Sequence, residues 1–378
     1  MRERWTVEAA AAWHGAQPWL MGCNFTPSTA INQLEMWQAA TFDLPTIERE
    51  LTLAASAGMN VARVYLHDLL WVDDAPGFLA RVEQLLAAAD ARGIGVMLVL
   101  FDSCWRPDPA LGPQPHPVDG VHNSGWLQAP GPAALADPAQ HPRLRAYVEG
   151  VVAHFAHDRR VIAWDVWNEP DNGAEVSACD PAELNAKAAL VLPVLRAAFA
   201  WARGAAPSQP LTSGIWLGDW SAPDKLTELQ RAQLDESDIV SFHNYGDADD
   251  FARRIAWLRA WGRPILCSEF MARPAGSTFQ SILPIARAEG VGAICWGLVR
   301  GKTQTHLPWV AWQEKGFGGV GEPWFHDIFE VDGAAHDPAE VEFLRLIARI
   351  DARAPHWPIV AVGGVGAPDA ADQGRAAA

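Results

Sequence analysis

Eight short apolar runs recur along the chain, and each is followed by a longer amphipathic segment. The runs are WLMGCNF (19–25), NVARVYL (60–66), GVMLVLF (95–101), VIAWDVW (161–167), PLTSGIW (210–216), DIVSFHN (238–244), PILCSEF (264–270) and GAICWGL (292–298). Helical patterns lie near 46–57, 76–92, 142–157, 181–203, 224–234, 248–260 and 277–289, with a last one at about 338–350. Gly58, Gly93, Gly204, Gly262 and Gly290 follow helical segments, where a left-handed cap is wanted. Strands that are apolar almost throughout need cover on both faces, which a parallel sheet flanked by helices provides. Eight such units predict an α/β fold, a closed (β/α)8 barrel, whose usual size is ~250 residues.

The chain has 378 residues, so the surplus must be insertions. Residues 102–141 are rich in Pro, Gly and His, and residues 299–337 carry Trp309, Trp312 and Trp324. Both stretches follow a strand and so belong to the C-terminal face, where barrel active sites lie. The expected organisation is one barrel domain over residues 1–360, then an Ala- and Gly-rich tail over 361–378.

The formal charge is 29 − 45 = −16, and no run of Lys or Arg stands out. That argues against a nucleic-acid or anionic-membrane partner. MRERWTVEAAAAWHGAQPWLMG, at the N-terminus, lacks a continuous apolar core after its charges, and no run of about 18 apolar residues occurs. The expectation is a cytoplasmic protein without a membrane span. Five cysteines (Cys23, Cys104, Cys179, Cys267, Cys295) are widely spaced, with no CxxC pair; they read as reduced, buried thiols without structural zinc. No metal or other cofactor is expected.

Parallel strands bring their C-terminal ends into one ring. Those ends carry Asn24, Arg63 with His67 and Asp68, Asp102, Asn168 with Glu169, Trp216, His243 with Tyr245, Glu269 and Trp296. Polar groups at apolar strand ends are costly to bury unless they pair with each other or with a ligand. The run VIAWDVWNEP shows this directly: an apolar strand stops at an amide, a carboxylate and a proline. Glu169 closes the fourth strand and Glu269 the seventh, so the two face each other across the ring. A facing pair of carboxyl groups suits glycoside hydrolysis, at ~5–5.5 Å for direct attack on the sugar and more for a water-mediated inversion. The bland alternative makes each glutamate a rim salt bridge, for instance to Arg63.

WNEP (167–170), HNY (243–245), CSEF (267–270) and Trp296 resemble the retaining β-glycosidases of clan A, most closely glycoside hydrolase family 5, over residues from about 19 to 350. The resemblance implies an oligosaccharide substrate, with Glu169 as general acid/base and Glu269 as nucleophile. Asn168 would bond the sugar 2-hydroxyl. Tyr245 and Arg63 would keep Glu269 ionised, and His243 would reach the leaving-group side near Glu169. Trp296 would floor the pocket. In such a pair the acid is expected to have a raised pKa and the nucleophile a lowered one. One departure is plain: the family commonly places a histidine beyond the third strand, whereas FDSCW (101–105) has none. Either Asp102 replaces it, or His122 folds back.

Weaker candidates remain. Trp37, Trp105, Trp126 and Trp309 fall in top loops as candidate sugar platforms, and Glu35 is a loop carboxylate that could join the site. GFGGVG (316–321) matches GxGxxG but follows no strand and runs into Glu322-Pro323, which argues against dinucleotide binding. His154 and His157 near a helix end read as dipole complements. HExxH and GxSxG are absent. Two insertions over the barrel mouth would turn a cleft into a pocket. With INQLEMW (31–37) and the aromatic loops, this resembles the exo-β-mannosidase branch, linked to mannose-β-1,4-N-acetylglucosamine. The alternatives are an endo-acting β-1,4-glucanase or xylanase of the same clan, a transglycosylase, or a catalytically silent sugar-binding barrel.

Overall fold

The computed structural model describes residues 2–173, 181–309 and 324–350. The expected tail, Cys179, Trp312 and the GFGGVG segment lie outside the described residues. Eight parallel strands form the sheet: β1 (Met21–Asn24), β2 (Val61–Tyr65), β3 (Gly95–Asp102), β4 (Val161–Asn168), β5 (Leu211–Thr212), β6 (Val240–His243), β7 (Ile265–Phe270) and β8 (Gly292–Cys295). Neighbours run in the order β5-β4-β3-β2-β1-β8-β7-β6. The ends of that order meet through Ile215, whose N–H donates to Ser241 O and whose carbonyl accepts from His243 N. The sheet thus curls into the (β/α)8 barrel expected from the sequence. β5 is shorter than the apolar run 210–216 because its chain beyond Thr212 keeps only this single bridge.

Helices fill the intervals and cover the outer face of the strands. Several start where a side chain satisfies the free N–H groups of the first turn: Asp43 caps Leu44–Ser56, Asp247 caps Ala248–Leu258, and Thr227 and Thr278 build capping boxes. Two elements differ from expectation. The helix after β2 spans Asp68–Asp90 and so starts earlier, with a break at Asp74 just before Pro76. Asp74 itself leaves the helical conformation and caps the second segment, its Oδ1 accepting from Gly77 N at 3.0 Å, and Pro76 falls in that segment's first turn, where a proline is tolerated. The N-terminal segment forms a helix, Val7–Ala16, capped by Thr6; its apolar residues are mostly alanine, so no periodicity announced it. Trp13 of this helix packs against the floor of the barrel, formed by Leu20, Val61, Met97, Ala163, Leu266 and Ile294.

Side chains alternate along a strand. Val61 therefore belongs to the floor layer, Arg63 to the next layer up, and Tyr65 to the aromatic group above it with Val99, Cys104 and Trp126. The outward residues of the same strands join the main core against the helices. This two-residue step lifts the interior from apolar floor to polar mouth within one short strand. Cys23, Cys104, Cys267 and Cys295 are buried free thiols.

Candidate active site

The abrupt end of β4 has a geometric cause. Glu169 follows the last strand residue with φ +41°, a left-handed conformation that costs a non-glycine residue about 1–2 kcal/mol. Pro170 then ends any ladder. The turn aims the carboxylate inward: Oε1 lies 2.7 Å from His243 Nδ1, and Oε2 accepts from Asn172 Nδ2 at 2.6 Å and from the Cys104 thiol at 3.2 Å. Glu169 is 7 % exposed. Burial alone would raise its pKa, but the hydrogen bond and charge of His243, helped by Asn172 and Cys104, outweigh burial and hold the carboxyl below its usual range. The raised value expected for the acid of the pair is therefore not what the ligand-free protein has: the imidazole in contact is the reason.

Glu269, the fifth residue of β7, accepts from Arg63 Nη1 at 2.7 Å and Tyr65 OH at 2.9 Å on Oε1, and from Tyr245 OH at 2.7 Å on Oε2. His243 Nδ1 is 3.4 Å from the same Oε2. One oxygen of each glutamate and the His243 nitrogen all lie within 4.8 Å of one another. The three atoms cluster closely enough for a cation, but both oxygens of Glu269 are already held by Arg63, Tyr65 and Tyr245. The cluster is thus better suited to moving protons than to ligating a metal.

Arg63 is wholly buried and organises the rest. Its Nε and Nη2 reach Asp165 Oδ2 at 3.0 and 2.7 Å, Nη1 reaches Asn24 Oδ1 at 2.8 Å, and Nη2 reaches Asn168 Oδ1 at 2.7 Å. Asn168 is thereby oriented from both sides, since its Nδ2 donates to Asp102 Oδ1 at 3.0 Å. Asp102 also accepts from Trp126 Nε1 at 2.7 Å and from the Cys104 N–H at 2.9 Å. Burial pushes the Asp102 carboxyl up to about 6 despite these donors. The strand-end aspartate thus stands beside Asn168, and among the described residues no histidine hydrogen-bonds to it.

Other candidates fall elsewhere. His122 is buried above Trp105, with ring centroids 5.7 Å apart, and its Nδ1 faces Leu307 O at 2.8 Å; burial pushes it down to about 4. None of these contacts is to Glu169 or Glu269. Glu35 pairs with Lys302 at 2.6 Å and accepts from Ile31 N at 2.7 Å, which fastens the loop after β1 to the loop after β8. Trp37 is fully buried and donates to Tyr65 O at 2.8 Å, a core residue with no face for a sugar. Trp296 stands edge-on to Tyr65 at 5.8 Å and to Trp126 at 6.1 Å, and is half-buried. Trp309 meets Tyr245 edge-on at 4.9 Å.

Tyr65, Asp165, Cys104 and Asn172 had not been singled out. Two carried a signal. Tyr65 lies two residues beyond Arg63 and so shares its face, and Asp165 is the one acid inside an otherwise apolar strand. Cys104 and Asn172 sit in turns whose path no local pattern foretells.

The profile of Cellulase (glycosyl hydrolase family 5) matches residues 22–315. No curated protein matches the chain. Among solved structures, the exo-β-1,4-mannosidase of Opitutaceae bacterium strain TAV5 superposes with TM-score 0.55 and 22 % identity over 87 % of this chain and 59 % of its own. The GH5_18 protein of Streptomyces cattleya in complex with Manβ1-4GlcNAc gives 0.55 and 16 % over 88 % and 81 %. The β-1,4-mannanase of the sea hare Aplysia kurodai gives 0.55 and 18 % over 74 % and 88 %. At these identities the likeness speaks for the fold.

Proposed function

The chain belongs to glycosyl hydrolase family 5, and from that premise we propose that it is a retaining exo-β-mannosidase on short oligosaccharides such as mannose-β-1,4-N-acetylglucosamine. The single observation that carries the chemistry is the approach of Glu169 and Glu269 within 4.8 Å, with His243 between them. So close an approach of the two carboxyl groups supports direct attack on the sugar over a water-mediated inversion. Glu269, held by Arg63, Tyr65 and Tyr245, attacks the anomeric carbon. Glu169 with His243 delivers a proton to the leaving oxygen, then takes one from the water that hydrolyses the glycosyl adduct. Asn168, its amide oriented by Arg63 and Asp102, meets the 2-hydroxyl.

The preference for a chain end rests on the loops. Those after β1, β3 and β8 are laced together: Asn32 Nδ2 donates to Gly125 O at 2.9 Å, Asn123 N to Thr303 O at 2.8 Å, and Gln304 Nε2 to Val118 O at 2.7 Å. Such a wall closes one side of the mouth. The mannoside preference is supported by the exo-mannosidase and Manβ1-4GlcNAc-bound proteins among the similar structures. The alternative, an endo-acting β-1,4-glucanase or xylanase, is favoured by the description of the matching profile. Parallel assays on aryl β-mannoside, β-glucoside and β-xyloside separate them, and the anomer first released tests retention. No release from the mannoside would overturn the first choice; binding without turnover of any of the three would leave a silent sugar-binding barrel.

A further inference from the structure

The turn that follows β3 is tied to the chain on both sides of Glu169. Ser103 N donates to Asn168 O at 3.2 Å. Ser103 Oγ donates to Pro170 O at 3.0 Å and accepts from Trp167 Nε1 at 3.0 Å. The next residue, Cys104, donates its N–H to Asp102 Oδ1 at 2.9 Å, and the chain then turns at Trp105 with φ +71°. The Cys104 side chain is thereby set beside Glu169, with only 5 % of the residue exposed. Its Sγ lies 3.2 Å from Glu169 Oε2 and 3.4 Å from the Nδ2 atoms of both Asn168 and Asn172.

The hydrogens of this cluster can be placed one by one, since each side-chain amide nitrogen carries two. Asn168 Nδ2 gives one to Asp102 Oδ1 at 3.0 Å, and Asn172 Nδ2 gives one to Glu169 Oε2 at 2.6 Å. Each amide keeps a second hydrogen for the sulfur. The thiol's own hydrogen then belongs to Oε2, the acceptor among its three neighbours. Burial, with the carboxylates of Asp102, Glu169 and Glu269 close by, pushes the thiol well up, so it keeps that hydrogen. Oε2 therefore faces two donors, and a proton taken up by Glu169 is directed to Oε1, the oxygen beside His243. Asn168 is fastened by Arg63 and Asp102 as well. Among the described residues, Oε2 of Glu169 has only Asn172 besides the thiol.

We propose that Cys104 is a positioning residue for the proton transfer, its thiol and the Asn172 amide together holding Oε2 of Glu169 so that Oε1 is the oxygen that meets the leaving group. The inference rests on the glycosidase reading and deepens it. A thiol is a weak donor, yet a bond to a buried carboxylate weighs more than one between neutral groups. Without it the carboxyl keeps one donor on Oε2 and gains freedom to rotate, and the acid step is the one that suffers.

The test uses the full chain and two β-glycosides of whichever sugar is turned over, one with a phenyl leaving group and one with dinitrophenyl. Cys104→Ala is expected to lower kcat/KM about tenfold on the phenyl glycoside, the weight of one hydrogen bond to a charged group. On the dinitrophenyl glycoside, whose departure needs no acid, the loss is expected to stay under about threefold. Cys104→Ser restores a donor beside Oε2 and is expected to bring the phenyl glycoside back to within about threefold of the wild type. Cys104→Val fills the space without a donor and gives the same comparison if the alanine variant does not fold. Losses of equal size on the two glycosides, no loss on either, or a serine variant as slow as the alanine one would overturn the assignment while leaving the glycosidase reading intact. Absence of turnover by the wild type on every aryl glycoside would overturn both.

Discussion

Nδ1 of His243 lies 2.7 Å from Oε1 of Glu169 and 3.4 Å from Oε2 of Glu269, so a single imidazole nitrogen touches both carboxylates. The carboxyl that must supply a leaving group's proton is therefore in direct contact with an imidazole in the ligand-free protein. Burial favours the neutral acid, and His243 opposes it. Carboxyl-carbon NMR should therefore find Glu169 titrating below the ordinary glutamate range in the wild type and moving upward in His243→Asn. The sign follows from linkage: a depressed folded-state value stabilises the protein above the ordinary range, and that stabilisation is lost as pH falls through the folded value. An unchanged Glu169 titration in the variant would contradict the pairing.

The two glutamates should separate by leaving group. Glu269→Gln keeps the shape but removes the nucleophile, so turnover should vanish on every substrate. Glu169→Ala removes proton donation, worth about 10²–10⁴-fold; the loss in kcat/KM should be large for a disaccharide and small for a dinitrophenyl glycoside, whose departure needs no acid, while kcat falls on both because the attacking water has lost its base. Steady-state kinetics on both substrates check this. Equal, partial losses in both variants would argue against the division of labour.

The barrel was legible because its strands are apolar on both faces and separated by helical periods, features that survive in a single sequence. The ring of Asn168, Glu169, His243, Tyr245 and Glu269 was legible for the same reason, since each stands at a strand's last turn. Loop residues were not. Glu35 looked like a site carboxylate until its path showed it clamped to Lys302, and His122 faces Leu307 O instead of taking the place beside Asn168. Side chains in long insertions are positioned by contacts with other loops, about which local pattern says nothing.

The clamp itself makes a prediction. Glu35 is tied to a lysine whose side chain is 40 % exposed, and such pairs contribute about 0–1 kcal/mol. Glu35→Gln should lower stability by no more than that and leave kcat/KM within about twofold, since nothing the carboxylate touches reaches the paired glutamates. Denaturant melts and aryl-glycoside assays are sufficient. A tenfold loss of activity would restore Glu35 to the sugar site.

Asp102 should impose a pH dependence of the opposite sign to Glu169. Its folded-state value is raised to about 6 by burial, so the stabilisation of its neutral form is present below the ordinary aspartate value and is lost as pH rises through about 6. The difference corresponds to roughly 3 kcal/mol at most. Urea melts of the wild type between pH 4 and 7 should show this decline, and Asp102→Asn, which cannot ionise, should lack it. The variant also turns one oxygen into a donor facing other donors, so Asn168 should lose its alignment and kcat/KM should fall even below pH 6.

Arg63 joins stability to function most directly. It lies in the layer just above the apolar floor, fully buried, and neutralises both Asp165 and Glu269. Oδ1 of Asp165 has no hydrogen-bond partner among the described residues, and its Oδ2 is held by Arg63. Removing one member of a buried ion pair leaves the other charge stranded, at a cost of about 3–5 kcal/mol. Arg63→Met should therefore destabilise the fold by that amount and abolish turnover. Adding Asp165→Asn to it should recover much of the stability but none of the activity, because Glu269 and Asn168 still lack their donor. Chemical denaturation of the single and double variants reads the first effect and kinetics the second. Recovery of both together would mean that Arg63 serves the core alone.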